Sequence, residues 1–104
     1  MRRGNRSKRG GDAWRRETDR LIADIRALNQ EAKVTRDDFA RLELYRAKSK
    51  LQNHLLRQYG EHFEAYPDPE WPGTLSLTRL SDGRDACHVK IDALDPDVRG
   101  FLGL

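Results

Sequence analysis

The sequence predicts an α+β fold, with an antiparallel helical hairpin followed by a C-terminal β-hairpin and a short helical turn. Residues 12–32 and 35–59 contain no proline and repeat apolar residues at helical spacing. A proline-rich stretch and short alternating segments around Asp82-Gly83 come after them. Because 104 residues suffice for one small domain, we assign residues 12–104 to it and residues 1–11 to a preceding arm.

The composition limits the class of protein. Hydrophobic residues make up 37% of the chain and charged residues 36%, so we expect a thin core. No apolar run approaches the roughly 18 residues of a membrane span, and no apolar stretch follows the Arg-rich start as in a secretory signal. A single cysteine, Cys87, rules out a disulfide framework within the chain, and a cytoplasmic setting is the simplest expectation.

The N-terminal residues 1–11 are predicted to form a disordered basic arm, because they lack the apolar side chains that would offset the entropy of ordering. Five cations occur there without an acid: Arg2, Arg3, Arg6, Lys8 and Arg9. Such a cluster can neutralise several nucleic-acid phosphates. The alternative is a solvated tail that keeps the protein soluble.

The helical hairpin covers residues 12–60. Its first helix is predicted to begin near Asp12, a good N-cap, and to end near Ala32. Its second helix begins with Thr35 and Asp38 in the spacing of a capping box and runs to Gly60. The apolar lines are Trp14, Leu21, Ile25, Leu28 and Ala32 in the first helix and Leu44, Ala47, Leu51 and Leu55 in the second. The same spacing would also suit a dimeric bundle.

A polar stripe follows the second helix at intervals of four, three and four residues: Arg46, Lys50, Asn53 and Arg57. Its three cations form a second candidate patch for phosphate contacts. The alternative is the ordinary wet face of an amphipathic helix.

The C-terminal part, residues 74–104, is predicted to start with a β-hairpin after an extended proline-rich connector at 66–73. A three-residue loop, Ser81-Asp82-Gly83, keeps the apolar residues on one face. It pairs Leu77 with Cys87, Leu75 with Val89 and Arg79 with Asp85.

A short helical turn should follow, capped by Asp95, opened by Pro96 and ended by Gly100. The apolar residues that still need a partner are Tyr66, Trp71, Phe101, Leu102 and Leu104. Either they cover one face of the β-hairpin, or they dock on a protein partner or a second subunit.

Catalysis and metal binding find no support in the sequence. The three histidines, His54, His62 and His88, have no zinc-ligand spacing with one another or with Cys87. There is no Gly-rich phosphate loop and no nucleophile motif. We therefore predict a non-catalytic protein without cofactor, metal ion or small-molecule substrate.

The charge is unevenly distributed, and this favours nucleic acid as a partner. Residues 1–60 carry eight more basic than acidic side chains, whereas residues 61–104 carry five more acidic than basic ones. The first hypothesis is a nucleic-acid-associated binding or assembly protein whose acidic C-terminal part contacts a protein. The alternative is a small inhibitor or adaptor that binds a protein through the acidic β-hairpin and the apolar C-terminus.

The order of these parts resembles that of phage small terminase subunits. The segment from Val34 to Tyr45, with the sequence VTRDDFARLELY, is similar in rhythm to the start of their second helix. The resemblance covers about a quarter of the chain as a pattern. It implies a ring-shaped oligomer that recognises packaging DNA.

Overall fold

The computed structural model describes the backbone of residues 3–104 and the side chains of residues 13–104. Two antiparallel helices in contact are followed by a three-stranded antiparallel sheet and a short helix, which confirms the predicted α+β class. The elements are α1 (Arg3–Val34), α2 (Asp38–Tyr59), a 3₁₀ turn (Gly60–His62), β1 (Phe63–Pro67), β2 (Thr74–Arg79), β3 (Arg84–Lys90), a second 3₁₀ turn (Ile91–Ala93) and α3 (Pro96–Phe101).

Helix α1 is longer than predicted. It begins at Arg3 and not near Asp12, and it runs through Gly10 and Gly11. Extending an existing helix costs less than starting one, so two glycines at about 1 kcal/mol each do not end it. Met1 and Arg2 lie outside the described residues, as do the side chains of Arg3, Arg6, Lys8 and Arg9. The phosphate contacts of the arm therefore stay a prediction.

The start of α2 corrects the predicted capping box. A carboxylate oxygen of Asp37 accepts a hydrogen bond from the Phe39 backbone N–H at 3.3 Å, so Asp37 is the N-cap. The Thr35 hydroxyl instead donates to the Glu31 carbonyl oxygen at 2.7 Å and finishes α1. A threonine between two helices can hydrogen-bond to the last turn of the first helix or cap the start of the second, and sequence spacing alone does not show which of these occurs.

The sheet contains one strand more than predicted. Strand β1 pairs antiparallel with β2, from Phe63 opposite Arg79 to Pro67 opposite Leu75. The segment predicted as an extended connector is therefore partly strand, and its remainder is the β1–β2 loop. Proline is tolerated here because β1 lies at the edge of the sheet, in the order β1-β2-β3.

The β2–β3 register follows the apolar face, as predicted, up to Leu77. Leu75 lies opposite Val89 and Leu77 opposite Cys87, which confirms those two pairs. A β-bulge after Leu77 then shifts the register, so that Arg79 lies opposite Arg84 and the predicted Arg79–Asp85 pair is wrong. The loop covers residues 80–83, one residue more than the predicted Ser81-Asp82-Gly83. It ends with Gly83 at φ +68°, the left-handed conformation predicted for it.

The core lies between the helical hairpin and one face of the sheet. Helix α1 contributes Leu21, Ile22 and Ile25, and α2 contributes Leu55 and Leu56. They pack against buried residues of the sheet and of the C-terminal segment: Phe63, Leu75, Leu77, Ala86, Val89, Leu94 and Val98. Ala32 is also buried, whereas Trp14 and Leu28 of the predicted stripe are only partly buried.

The C-terminal segment forms α3 where it was predicted. Asp95 is its N-cap residue and Pro96 its first helical residue. The helix ends at Phe101 and not at Gly100, and the glycine of this C-terminal segment that has a positive φ is Gly103. Leu102 packs partly against the core, while the side chains of Phe101 and Leu104 stay exposed.

The turn end of the helical hairpin lies outside the core cluster. Val34, Phe39 and Leu42 are exposed there, Phe39 to 72%. The molecule is elongated, with extents of 56 × 26 × 23 Å. In the part of the chain that the structure describes, no helix has the length and apolarity needed to cross a membrane.

Candidate functional site

A groove of about 690 Å³ lies between the helical hairpin and the sheet. Helix α1 contributes Arg26 and Lys33 to its wall, and α2 contributes Lys48. The β1–β2 loop adds Trp71, and β3 adds His88 beside other strand residues. Cations, an aromatic ring and hydrogen-bonding groups therefore meet in one depression.

The groove carries an excess of positive charge. Three cations, Arg26, Lys33 and Lys48, line it together with a single described carboxylate, that of Asp85. Among residues 13–104, none of the three cations is within ion-pair distance of a carboxylate. Their charge is thus available to an anion from outside the molecule.

Lys48 is the most constrained of these cations. Its Nζ donates to Asn29 Oδ1 at 3.0 Å and lies 4.9 Å from the centre of the Tyr45 ring. Burial lowers the pKa of Lys48, and repulsion by Lys90 and Lys33 lowers it further. An anion placed among these like charges would relieve the repulsion.

Gln52 fixes the wall of the groove to the sheet. Its side-chain amide donates to the His88 carbonyl oxygen at 2.8 Å and lies 3.6 Å from Cys87 Sγ. Burial raises the pKa of the Cys87 thiol to about 11, so the thiol is neutral at physiological pH. A neutral, largely buried thiol is a poor nucleophile, and Cys87 is therefore a packing residue of the groove.

Trp71 is held at the rim by its loop. The Thr74 backbone N–H donates to the Trp71 carbonyl oxygen at 3.0 Å, and Asp68 Oδ1 accepts from the Glu70 N–H at 2.9 Å. The Trp71 residue is nevertheless 63% exposed. Its backbone is therefore fixed while its ring stays open to a ligand.

The predicted stripe on α2 is divided in the structure. Arg57 Nε donates to Asp97 Oδ2 at 2.8 Å, and its Nη2 donates to Asp95 Oδ2 at the same distance. These two carboxylates raise the pKa of Arg57 and balance its charge. Asn53 is buried, and of the three exposed cations of the stripe only Arg57 is held by two carboxylates.

Arg46 and Lys50 differ in their surroundings. Arg46 Nη1 lies 3.2 Å from Glu43 Oε2, a pair that is exposed on both sides. Lys50 is exposed and forms no ion pair with any described side chain. Neither residue lines the groove, so the structure does not bring the predicted patch together with it.

The histidines are separated from one another. His62 stacks on Trp14, with ring centres 3.8 Å apart and planes within 4°, whereas His54 is exposed on α2. His88 lies at the groove, with Nε2 3.8 Å from Asp68 Oδ2. Within the described residues, no three His, Cys, Asp or Glu side chains are grouped so that they could hold a metal ion.

Sequence reasoning found Trp71 but not the groove around it. The cations that line the groove come from α1 and α2, and the nearby Lys90 comes from β3. No sequence spacing joins them, because only the tertiary packing brings these elements together. The one available signal was Lys48, which lies off the polar stripe of α2.

Comparisons with protein-family models, curated proteins and solved structures found no match to the chain. The function is therefore inferred from the charge and geometry of the groove.

Proposed function

We propose that the protein is a non-catalytic, nucleic-acid-associated binding protein that holds phosphates in the groove. The observation that carries the proposal is the grouping of Arg26, Lys33 and Lys48 without a described carboxylate partner. Nucleic acid is a dense polyanion, and cations that gather on one surface release its counterions when they bind it. The basic arm adds further cations to the same chain.

The experiment is a salt series with labelled nucleic acid. Fluorescence anisotropy with single-stranded and duplex oligonucleotides, between about 50 and 200 mM salt, should give affinities that fall steeply as salt rises. The double variant Arg26→Gln/Lys33→Gln should lower the slope of log affinity against log salt by about 1.5, since each phosphate contact contributes about 0.7–0.9. Deletion of residues 1–10 should lower that slope as well.

The matched control is the double variant Arg16→Gln/Arg36→Gln. It removes the same charge from two exposed positions that do not line the groove. Its slope should stay close to that of the unchanged protein. If both double variants lower the slope of log affinity against log salt equally, the groove is not the binding surface. If no nucleic acid binds at low salt, the proposed function is wrong.

Self-association is a second candidate function, favoured by the apolar turn end of the helical hairpin. Val34 and Phe39 are exposed to 69% and 72%, and an exposed apolar cluster with charged neighbours is typical of an interface. A second copy of this chain is the proposed partner, because the spacing of apolar residues on two antiparallel helices suits a bundle. Light scattering should show a mass that rises with concentration and that Phe39→Ser reduces to the monomer.

The protein contacts predicted for the apolar C-terminus remain a proposal. Phe101 and Leu104 are exposed and available to a partner, whereas Leu102 belongs partly to the core. Light scattering of the variant Phe101→Ser/Leu104→Ser shows whether association depends on the C-terminus or on the turn end of the helical hairpin. A mass that rises with concentration in both variants would contradict these two surfaces, and a monomer mass at every concentration would contradict self-association.

A further inference from the structure

We propose that the groove binds single-stranded nucleic acid, with a base stacked on Trp71 and the adjoining phosphates held by Arg26, Lys33 and Lys48. This inference rests on the proposed function and specifies its ligand. The four side chains line one groove of about 690 Å³, so a nucleotide and its neighbouring phosphate fit within reach of them.

Trp71 supplies the argument for a base. An indole that is 63% exposed on a loop fixed by backbone hydrogen bonds is a preformed flat surface. Stacking of a base on such a ring tolerates any sequence, because every base has a π-face. In a duplex those faces are already stacked on neighbouring base pairs, so the ring selects unpaired bases.

The polar groups of the groove complement this arrangement. The side chains of Gln30 and His88 line it and are exposed, so they can reach the edge of a stacked base. Gln52 is already engaged with the His88 carbonyl oxygen and Asn29 with Lys48, so these two residues hold the walls in place. A preorganised site of this kind loses little freedom when a ligand binds.

The cations supply the argument for a phosphate next to the base. Lys48 stands close enough to Lys33 and Lys90 for their charges to act on it, and none of the three has a described carboxylate partner. A bound phosphate would offset that repulsion. An acidic polypeptide would offset it too, but its carboxylates offer no aromatic face to Trp71, whereas every nucleotide carries a base next to its phosphate.

The experiment measures binding of oligo(dT) of about 15 nucleotides by tryptophan fluorescence, a length that covers the site size of many single-strand binders. The variant Trp14→Phe leaves Trp71 as the only indole, and circular dichroism checks that it is folded. Oligo(dT) should quench its emission. In the otherwise unchanged protein, fluorescence anisotropy of labelled oligo(dT) should show that Trp71→Ala weakens binding about tenfold and that Trp71→Phe retains most of the affinity.

The matched control is Tyr66→Ala, which removes an exposed aromatic ring of β1 that does not line the groove. It should leave the affinity for oligo(dT) unchanged. A duplex of the same length should bind at least about tenfold more weakly than oligo(dT), with no effect of Trp71→Ala.

The outcomes separate this inference from the proposed function. If oligo(dT) and duplex bind equally and Trp71→Ala affects neither, the inference is wrong while nucleic-acid binding stands. If polyglutamate displaces oligo(dT) as well as unlabelled oligo(dT) does, the groove selects charge alone and the inference is overturned. If no nucleic acid binds at low salt, both the inference and the proposed function fail.

Discussion

Replacing Arg79 with methionine should destabilise the protein, because this cation joins α1 to the β2–β3 loop. The Arg79 side chain is only 3% exposed. Its Nη1 donates to Thr18 Oγ1 at 2.9 Å and to Asp19 Oδ1 at 2.7 Å, and its Nη2 donates to Asp82 Oδ2 at 2.7 Å. Methionine fills much of the same volume but supplies none of these donors.

The expected loss follows from the exposure of the partners. Breaking a fully buried ion pair costs about 3–5 kcal/mol, because the remaining charge is left without water. Here the side chains of Asp19 and Asp82 are 45% and 37% exposed, so water can hydrate both after the substitution. The buried Thr18 keeps its own hydrogen bond to the Arg15 carbonyl oxygen. We therefore expect a loss of about 2 kcal/mol in the free energy of unfolding.

The assay is urea unfolding followed by circular dichroism, with thermal unfolding as a second measure. A loss of about 2 kcal/mol corresponds to a fall of about 8–16 °C in Tm for a domain of this size. The control is Arg84→Met, which removes a second partner of Asp19, at 2.9 Å, from a side chain that is 42% exposed. That variant should lose less than about 1 kcal/mol. Equal losses for both variants, or a loss below about 0.5 kcal/mol for Arg79→Met, would refute the reasoning.

Three further predictions concern packing, acid stability and a buried amide. A Cβ on Gly60 would lie 2.5 Å from Cε2 of Phe101, so Gly60→Ala should lower the free energy of unfolding by about 1 kcal/mol. In a protein that already carries Phe101→Ala, the same substitution should be neutral or stabilising, and unfolding curves of the unchanged protein, the two single variants and the double variant would test this. A hydrogen bond from Arg79 lowers the pKa of Asp82 to about 2. The pKa of Asp82 in the unfolded chain is about 3.9, so the ionised carboxylate stabilises the fold fully above that pH, and this contribution is lost as the pH falls toward 2. Between these two pH values, the free energy of unfolding of Asp82→Asn should therefore depend less on pH than that of the unchanged protein. The buried Asn53 amide donates to one backbone carbonyl and accepts from one backbone N–H in the segment between β3 and α3. Asn53→Ala should therefore cost about 2 kcal/mol by urea unfolding, and an unchanged midpoint would contradict this.

The helices and the β2–β3 register were predictable because each depends on a local pattern. Apolar spacing located both helices, and the apolar faces of Leu75 and Leu77 set the strand register. Strand β1 was missed because Pro67 ends it and two more prolines follow, so local composition favoured a connector. The bulge was missed because nothing in the sequence favours one extra residue at Ala86 over a regular ladder.

The candidate site was much less predictable than the fold. Exposed cations on one helix face form a visible stripe, but Arg57 is neutralised by two carboxylates about 40 positions further along the chain. Arg79 was expected on a strand opposite an acid, whereas it is buried against a residue of α1. These long-range partners are set by tertiary packing, which sequence spacing does not report.

The two outer strands of the sheet differ from a plain open edge. The carbonyl oxygen of His88 in β3 accepts from the Gln52 side chain, and Pro67 at the end of β1 has no N–H to offer. A strand of another molecule could not form a regular series of backbone hydrogen bonds with either β1 or β3, because one of these groups is engaged in β3 and one N–H is absent in β1. Edge-to-edge pairing of sheets from different molecules, which can lead to fibrils, is therefore disfavoured even in a chain whose core is thin.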